Sequence, residues 1–284
     1  MTDIAVFSDI ASLRTAVGAW RSQGLRVALV PTMGALHAGH AALVAEGVRR
    51  ADRVVASVFV NPTQFAPHED FSQYPRTFAA DLDTLAAAGA AGCFAPAAED
   101  MYPRGFCTTV TMEGPAKVDL EDRFRPTHFA GVATVVAKLL NQAQADCAIF
   151  GEKDYQQLKV IMRMARDLDL PTQILGAPTV READGLALSS RNVYLSASDR
   201  AAAPALHAAL AHAAARIGDG EPLAHVMADA REAVVGAGFA VDYIEARHAE
   251  TLERVARRQD GPIRVLAAAK LGSTRLIDNV GVRA

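Results

Sequence analysis

Short apolar runs alternate with longer stretches of helical spacing through the first two-thirds of the chain. Residues 26–31 (RVALVP) form an apolar run that ends in proline, and residues 53–60 (RVVASVFV) are rich in β-branched side chains. Residues 93–96, 146–150 (DCAIF) and 172–175 are shorter runs of the same kind. Between them, Phe129, Val132, Val136, Leu139 and Leu140 fall on one face of a helix over residues 129–142. Leu158, Ile161, Met162, Ala165 and Leu168 do the same over residues 154–168. Continuous apolar strands separated by amphipathic helices predict a parallel sheet covered on both faces. The expected fold class is α/β: a Rossmann-like doubly wound parallel sheet with a smaller C-terminal α+β domain.

The pattern changes after about Pro178. A polar stretch, TVREADGLALSSRNVYLS, leads to a capping-box-like start at Ser196 and Asp199 for an Ala-rich helix. A second helix over roughly residues 223–235 precedes strand-like runs at 239–246, 263–271 and 275–280. The expected domains are therefore 1–179 and 180–284.

Composition narrows the function classes. The 284 residues are 51% hydrophobic and 21% charged, as in a globular protein. A net charge of −3 leaves no electrostatic footprint for nucleic acid. The N-terminal segment has no basic and apolar leader pattern, and no apolar run is long enough to span a bilayer, so a cytoplasmic protein without a membrane partner is expected. Three widely spaced cysteines, Cys93, Cys107 and Cys147, fit a reduced compartment, with core packing expected for each.

Four segments carry candidate chemistry. In residues 30–40 (VPTMGALHAGH), Gly34 and Gly39 let the backbone approach a ligand, and a helix N-terminus offers free N–H groups to phosphate. The Gly-(four residues)-Gly spacing resembles a P-loop, but His40 and Ala41 stand where Lys and Ser/Thr are required. His37 and His40 can donate hydrogen bonds to phosphate; the alternative is a plain strand-helix connection with two surface histidines. Residues 59–65 (FVNPTQF) place Asn61 and Gln64 at a strand end, where neutral amides can orient a carboxylate without quenching it, or simply end a strand in an Asn-Pro turn. Residues 150–158 (FGEKDYQQL) offer Lys153 to phosphate and Gln157 one turn later, with Asp154 as a helix cap in the bland alternative. Ser189, Ser190 and Arg191 form a compact anion-binding set on a loop able to close over a ligand, or an ordinary polar linker.

Together these segments, with YPRT, RPTHFAGVATVVAKLLN and READGLALSSRNVYLS in the same order, resemble the pantothenate synthetase family of the nucleotidyltransferase superfamily with a HIGH-type signature. The resemblance implies an ATP-dependent acid–amine ligase that condenses pantoate with β-alanine through a pantoyl adenylate, with ATP and Mg²⁺, as a homodimer. It implies catalytic roles for His37, His40, Lys153 and Arg191. An ATP site would be lined by Met33, Gly34, Ala35, Leu36, His37, Ala38, Gly39 and His40. Gly151, Glu152, Lys153 and Asp154 would continue it, with Val180, Leu188, Ser189, Ser190 and Arg191 closing it. Gln64, Gln157 and Asn61 would hold substrate, and Asp81 is a weaker candidate for Mg²⁺, an exposed acid on a helix in the alternative. Two departures stand out: Ala38 where relatives carry Glu, and Thr127 where glycine is commoner. A positive φ at Thr127 would be strained, so Arg125 and His128 are left out of the expected site. The main enzymatic rival is a nucleotidyltransferase acting on a phosphorylated substrate, which favours cations where this chain has Gln64 and Gln157. A non-catalytic nucleotide sensor would have lost some of His37, His40, Lys153 and Arg191.

Overall fold

Six strands make the larger sheet: β1 (Ala5–Phe7), β2 (Val27–Thr32), β3 (Arg53–Val58), β4 (Gly92–Phe94), β5 (Cys147–Gly151) and β6 (Gln173–Ala177). The computed structural model describes residues 4–65 and 71–283; residues 1–3 of the segment read for a leader lie outside that range. All strand pairs are parallel, in the order β1-β4-β3-β2-β5-β6. Val27, Ala28, Leu29 and Val30 have no exposed surface, as expected of a strand covered on both faces. β1 escaped the sequence pattern because it has only three residues, of which Phe7 alone is buried.

The connections are helical: α1 (Ile10–Ser22), α2 (Ala38–Arg50), α3 (Phe78–Ala87), α4 (Ala98–Met101), α5 (Glu121–Phe124), α6 (His128–Ala143) and α7 (Tyr155–Asp167). α6 buries far more than the single face read from its periodicity, because β2 lies against one side and α1 and α7 against others. On α7 the expected face holds at Leu158, Ile161 and Ala165, but Met164 is buried in place of Met162. Leu168 lies past the helix end and is 49% exposed.

Chain order reverses between β2 and β5. β2 pairs with β3 at all six residues but with β5 only at Ala28↔Cys147 and Leu29↔Ala148. Main-chain groups of a parallel strand face alternate neighbours. Asp146 N donates to Val27 O, and Phe59 N to Thr32 O. The odd-numbered residues of β2 therefore face β5, which puts Pro31 on that side. Its missing N–H falls where the ladder has already ended. The strands part there, and a crevice opens at their carboxyl ends, the usual ligand position in an open α/β sheet.

The smaller C-terminal domain contains α8 (Ala197–Ala202), α9 (Pro204–Gly218), α10 (Leu223–Gly236) and strands β7 (Ala240–His248), β8 (Ile263–Leu271) and β9 (Thr274–Gly281). Its strands form an antiparallel sheet in the order β7-β8-β9, with a core shared by α9, α10 and the sheet. The Ala-rich helix expected after Ser196 divides at Pro204, which cannot continue the ladder of the preceding turn. Ser196 does cap α8, accepting from Asp199 N at 3.1 Å. Cys93 and Cys147 are buried in the large sheet, whereas Cys107 is exposed, contrary to the expected core packing. Burial pushes the Cys93 thiol up to about 12, and that of Cys147 upward as well. Among the described residues no helix is long and apolar enough to cross a membrane.

Candidate active site

The turn from β2 into α2 is built by backbone hydrogen bonding. Gly34 (φ +83°) and Ala35 (φ +51°) adopt left-handed backbone, turning successive amides inward. The Asp81 carboxylate accepts from Ala35 N at 3.1 Å, Leu36 N at 2.8 Å and Thr77 Oγ1 at 3.0 Å. Asp81 is therefore buried, at 2% exposure, and turned into the protein rather than solvated.

His37 is the N-cap of α2. Its Nδ1 accepts from Gly39 N at 3.1 Å, and His40 Nδ1 accepts from His37 N at 3.3 Å. A Cβ on residue 39 would lie 2.8 Å from the His37 ring, so glycine is what allows this cap. An accepting Nδ1 is unprotonated, so in each ring the proton sits on Nε2. Desolvation, reinforced by Lys153, lowers the His37 pKa; desolvation and His37 lower that of His40 to about 3. The site thus holds two neutral imidazoles, each with one N–H donor, beside a helix N-terminus.

At the end of β5, Gly151 leads through one tight turn (Glu152–Asp154) into α7. Lys153 Nζ lies 3.7 Å from Asp154 Oδ2, and Asp154 makes no side-chain cap for α7, so the capping alternative fails. Burial alone would raise the Asp154 pKa, but the charges of Lys153, Arg191, His128 and Arg125 outweigh it and the pKa is lowered. Residues 180–188 form a small hairpin, closed by the Arg181↔Ala187 bridge and by Leu188 N donating to Val180 O at 3.0 Å. It delivers Ser189, whose Oγ accepts from Arg191 N at 3.2 Å, and Ser190 and Arg191.

These elements enclose a cavity of about 220 Å³. His37, His40, Lys153, Asp154, Ser189, Ser190 and Arg191 line it, as do Met33, Gly39, Gly151, Val180 and Leu188. Gly34, Ala35, Leu36 and Ala38, in the same turn, do not line it. Glu152 turns away to Arg264 of β8, at 3.0 Å. Asn61, Gln64 and Gln157 also line the cavity. Asn61, however, spends its amide within the protein: Nδ2 donates to Gln64 Oε1 and Gly131 O, and Oδ1 accepts from Tyr102 Oη at 2.7 Å. It orients Gln64, whose Nε2 reaches Met33 Sδ at 3.0 Å. A Cβ at Gly131 would lie 2.4 Å from Thr63 O, so glycine lets α6 press against the turn that carries Gln64.

Against this geometry stand the similarities to known proteins. A sequence model described as pantoate-beta-alanine ligase matches residues 5–281. The chain belongs to the pantoate-beta-alanine ligase family. It is a ligase joining pantoate to β-alanine. It is 58% identical over 278 residues to the pantothenate synthetase of Nitrobacter hamburgensis, covering 98% of each chain. It is 57% identical over 273 residues to pantothenate synthetase 2 of Bradyrhizobium diazoefficiens, 96% of each. The crystal structure of pantothenate synthetase from Thermus thermophilus superposes with a TM-score of 0.93 at 46% identity, covering 99% of this chain and all of that one. The ligase from Francisella tularensis, complexed with beta-gamma ATP and beta-alanine, superposes with a TM-score of 0.80 at 30% identity, covering 99% of each chain.

Family membership gives meaning to lining that the motifs did not disclose. Phe59, Val132, Val135, Val136 and Leu139 give the same cavity an apolar wall. Thr179 Oγ1 also faces the cavity region, buried and with no hydrogen-bond partner among the described residues. Thr127 has φ −99°, so the strain argument against its neighbours does not apply. His128 Nδ1 lies 3.0 Å from Gln64 O, and Arg125 Nη1 lies 3.1 Å from His128 Nε2, which brings both residues against the turn that carries Gln64. The Asp81 metal assignment is revised: this carboxylate does not line the cavity, and its oxygens hold the turn of residues 34–36.

Proposed function

We propose that the ligase binds ATP with its phosphates between the α2 N-terminus and the cations Lys153 and Arg191, and activates pantoate as an acyl adenylate in the same cavity. One observation carries this: one cavity at the sheet's switch point brings His37, His40, Lys153, Ser189, Ser190 and Arg191 together with Asn61, Gln64, Gln157 and apolar lining. The Francisella tularensis relative, complexed with beta-gamma ATP and beta-alanine, supports it.

The pantoate carboxylate is already ionised at neutral pH and needs no general base. Gln64, oriented by Asn61, and Gln157 would hold it without neutralising its charge, while its geminal methyl groups meet the wall of Phe59, Val132 and Val136. A carboxylate oxygen attacks the α-phosphorus, the bond from that phosphorus to the bridging oxygen breaks, and pyrophosphate leaves with the electron pair. The Nε2–H donors of His37 and His40, with Lys153, Arg191 and the Ser189 and Ser190 hydroxyls, would receive the developing charge. The uncharged amine of β-alanine then attacks the acyl carbon, the acyl–oxygen bond breaks, and AMP departs while the new amide loses a proton.

Mg²⁺ fits as an ion held mainly by phosphate oxygens and water. Among the described residues no cluster of three or more His, Cys, Asp or Glu could cage it, and Asp154 is the carboxylate that reaches the cavity. Bound there, it would neutralise phosphate charge. The domain boundary is placed near residue 179, supported by the end of β6 at Ala177 and by Leu186 as the first member of the second core. The proposal includes a cytoplasmic homodimer, the dimer to be checked by light scattering.

Exchange of labelled pyrophosphate into ATP tests the intermediate. It should require pantoate, proceed without β-alanine and ignore phosphomonoesters. Exchange that is absent with pantoate alone would remove the adenylate.

A further inference from the structure

Strand β9 of the small domain carries two adjacent buried polar residues, Asp278 and Asn279, each 4% exposed. Successive strand residues point to opposite faces, so the two side chains reach different partners. Asp278 accepts both guanidinium Nη groups of Arg181, at 2.7 and 2.8 Å. Arg181 opens the hairpin that ends in Ser189, Ser190 and Arg191. His207 Nδ1 lies 3.3 Å from the same carboxylate.

Asn279 works on the other loop. Its Nδ2 donates to the main-chain oxygens of Glu152 and Lys153, each at 2.9 Å. Its Oδ1 accepts from Arg264 Nε at 2.6 Å, and Arg264 Nη2 reaches the Glu152 carboxylate at 3.0 Å. Two neighbouring residues of one domain thus grip the two loops that bring Lys153 and Arg191 to the cavity. Neither lines that cavity, although Asp278 lines an adjoining one of about 610 Å³ that Lys153, Ser189 and Arg191 also line.

We propose that Asp278 and Asn279 are positioning residues that hold the two cation-bearing loops in register, so that Lys153 and Arg191 converge on one anionic ligand. This rests on the phosphate-site assignment above. Convergence of Lys153 and Arg191 on one ligand needs a fixed spacing between their loops, which a bidentate buried Arg–carboxylate pair and a doubly donating amide supply. Misplacement of a reacting contact by about 1 Å can cost about 100-fold, so a grip on the loops that carry the cations has a large effect to exert.

The alternative is that Asn279 merely docks the two domains and that the Asp278–Arg181 pair, which lies within the small domain, merely stabilises that domain. Asp278→Asn and Asn279→Ala, made in the full chain, separate the two. If they position the cations, the ATP dissociation constant by calorimetry and the KM for ATP rise about tenfold or more, while the KM for pantoate stays within about twofold. Should Asp278→Asn fail to fold, Arg181→Lys keeps the charge but not the fork and should give the same split. Unchanged ATP parameters in folded variants overturn the proposal. So do KM values for ATP and pantoate that rise together with a fall in the urea midpoint, the mark of loosened docking. Lys153→Ala and Arg191→Ala are measured beside them. If those two bind ATP normally, the phosphate-site assignment itself has failed; if they do not and the β9 variants match wild type, only the β9 inference has.

Discussion

Removing the His37 side chain in two ways should separate its role in folding from its role in catalysis. His37 does two things through two nitrogens: Nδ1 caps α2 by accepting from Gly39 N, and Nε2 keeps a proton to donate. Asparagine is among the best N-caps, so His37→Asn should keep the helix start within a few tenths of a kcal/mol, whereas His37→Ala should cost about 1 kcal/mol. Both delete the donor. Loss of one preorganised donor to developing charge costs about 10²–10³ in rate, or roughly 3–4 kcal/mol of barrier. The two variants should therefore show the same large fall in AMP release at saturating substrates, and urea midpoints that differ by the cap alone. Wild-type turnover in His37→Asn would refute the donor role. Identical midpoints for the two variants would refute the cap.

Lys153→Ala should lower pyrophosphate exchange at least tenfold while leaving the urea midpoint near wild type, because its ion pair with Asp154 is long and partly solvated; near-normal turnover there and in His37→Ala would sink the site assignment. Gly131→Ala drives a Cβ against Thr63 O and should cost about 1–3 kcal/mol while raising the KM for pantoate, and an unchanged KM would mean that the Gln64 turn can shift freely. Since His37 and His40 have folded pKa values below the ordinary 6.5, the unfolded chain binds more protons under that pH, and stability falls as pH drops from about 6.5 toward about 3; His40→Gln should flatten this slope, and an equal slope would contradict the half-buried neutral imidazole. A thiol reagent should label Cys107 alone in the native protein and all three cysteines in urea; native labelling of Cys93 would be incompatible with its burial.

What could be read from the sequence follows from which features are local. β2, β3 and β5 announced themselves because a strand covered on both faces must be apolar throughout, and α8 because Ser196 and Asp199 supply its first hydrogen bonds. The four motif segments were legible for the same reason: glycines, amides and cations stand just after apolar strands. The order of the strands has no local signal, so the reversal between β2 and β5 that unites residues 33–40 with residues 151–154 came only with the structure. Asp81 looked like a solvated helix acid, since nothing near it in the sequence points to amides 46 and 45 residues earlier. Thr127 misled in another way: a position common for glycine suggested positive φ, yet its backbone is right-handed, and Arg125 and His128 approach Gln64 undisturbed. The apolar wall was half visible, because the α6 periodicity marked Val132, Val136 and Leu139 as buried but not as facing a cavity.

The proline that ends β2 has a consequence for the mechanics of the ligand-free protein. β2 and β5 share two ladder positions and the Asp146 N–Val27 O bond at their amino ends; farther along, among the described residues, nothing in the main chain stitches them, so the two halves of the large sheet meet at a seam that is unzipped at its carboxyl end. ATP bound as proposed, touching the α2 N-terminus on one side and Lys153 on the other, would supply the cross-links that the backbone withholds. Amide exchange along residues 33–40 and 150–154 should accordingly slow when ATP is added, and the whole fold should gain stability with ligand concentration. Bound as proposed, the nucleotide would act as a rivet as well as a reactant.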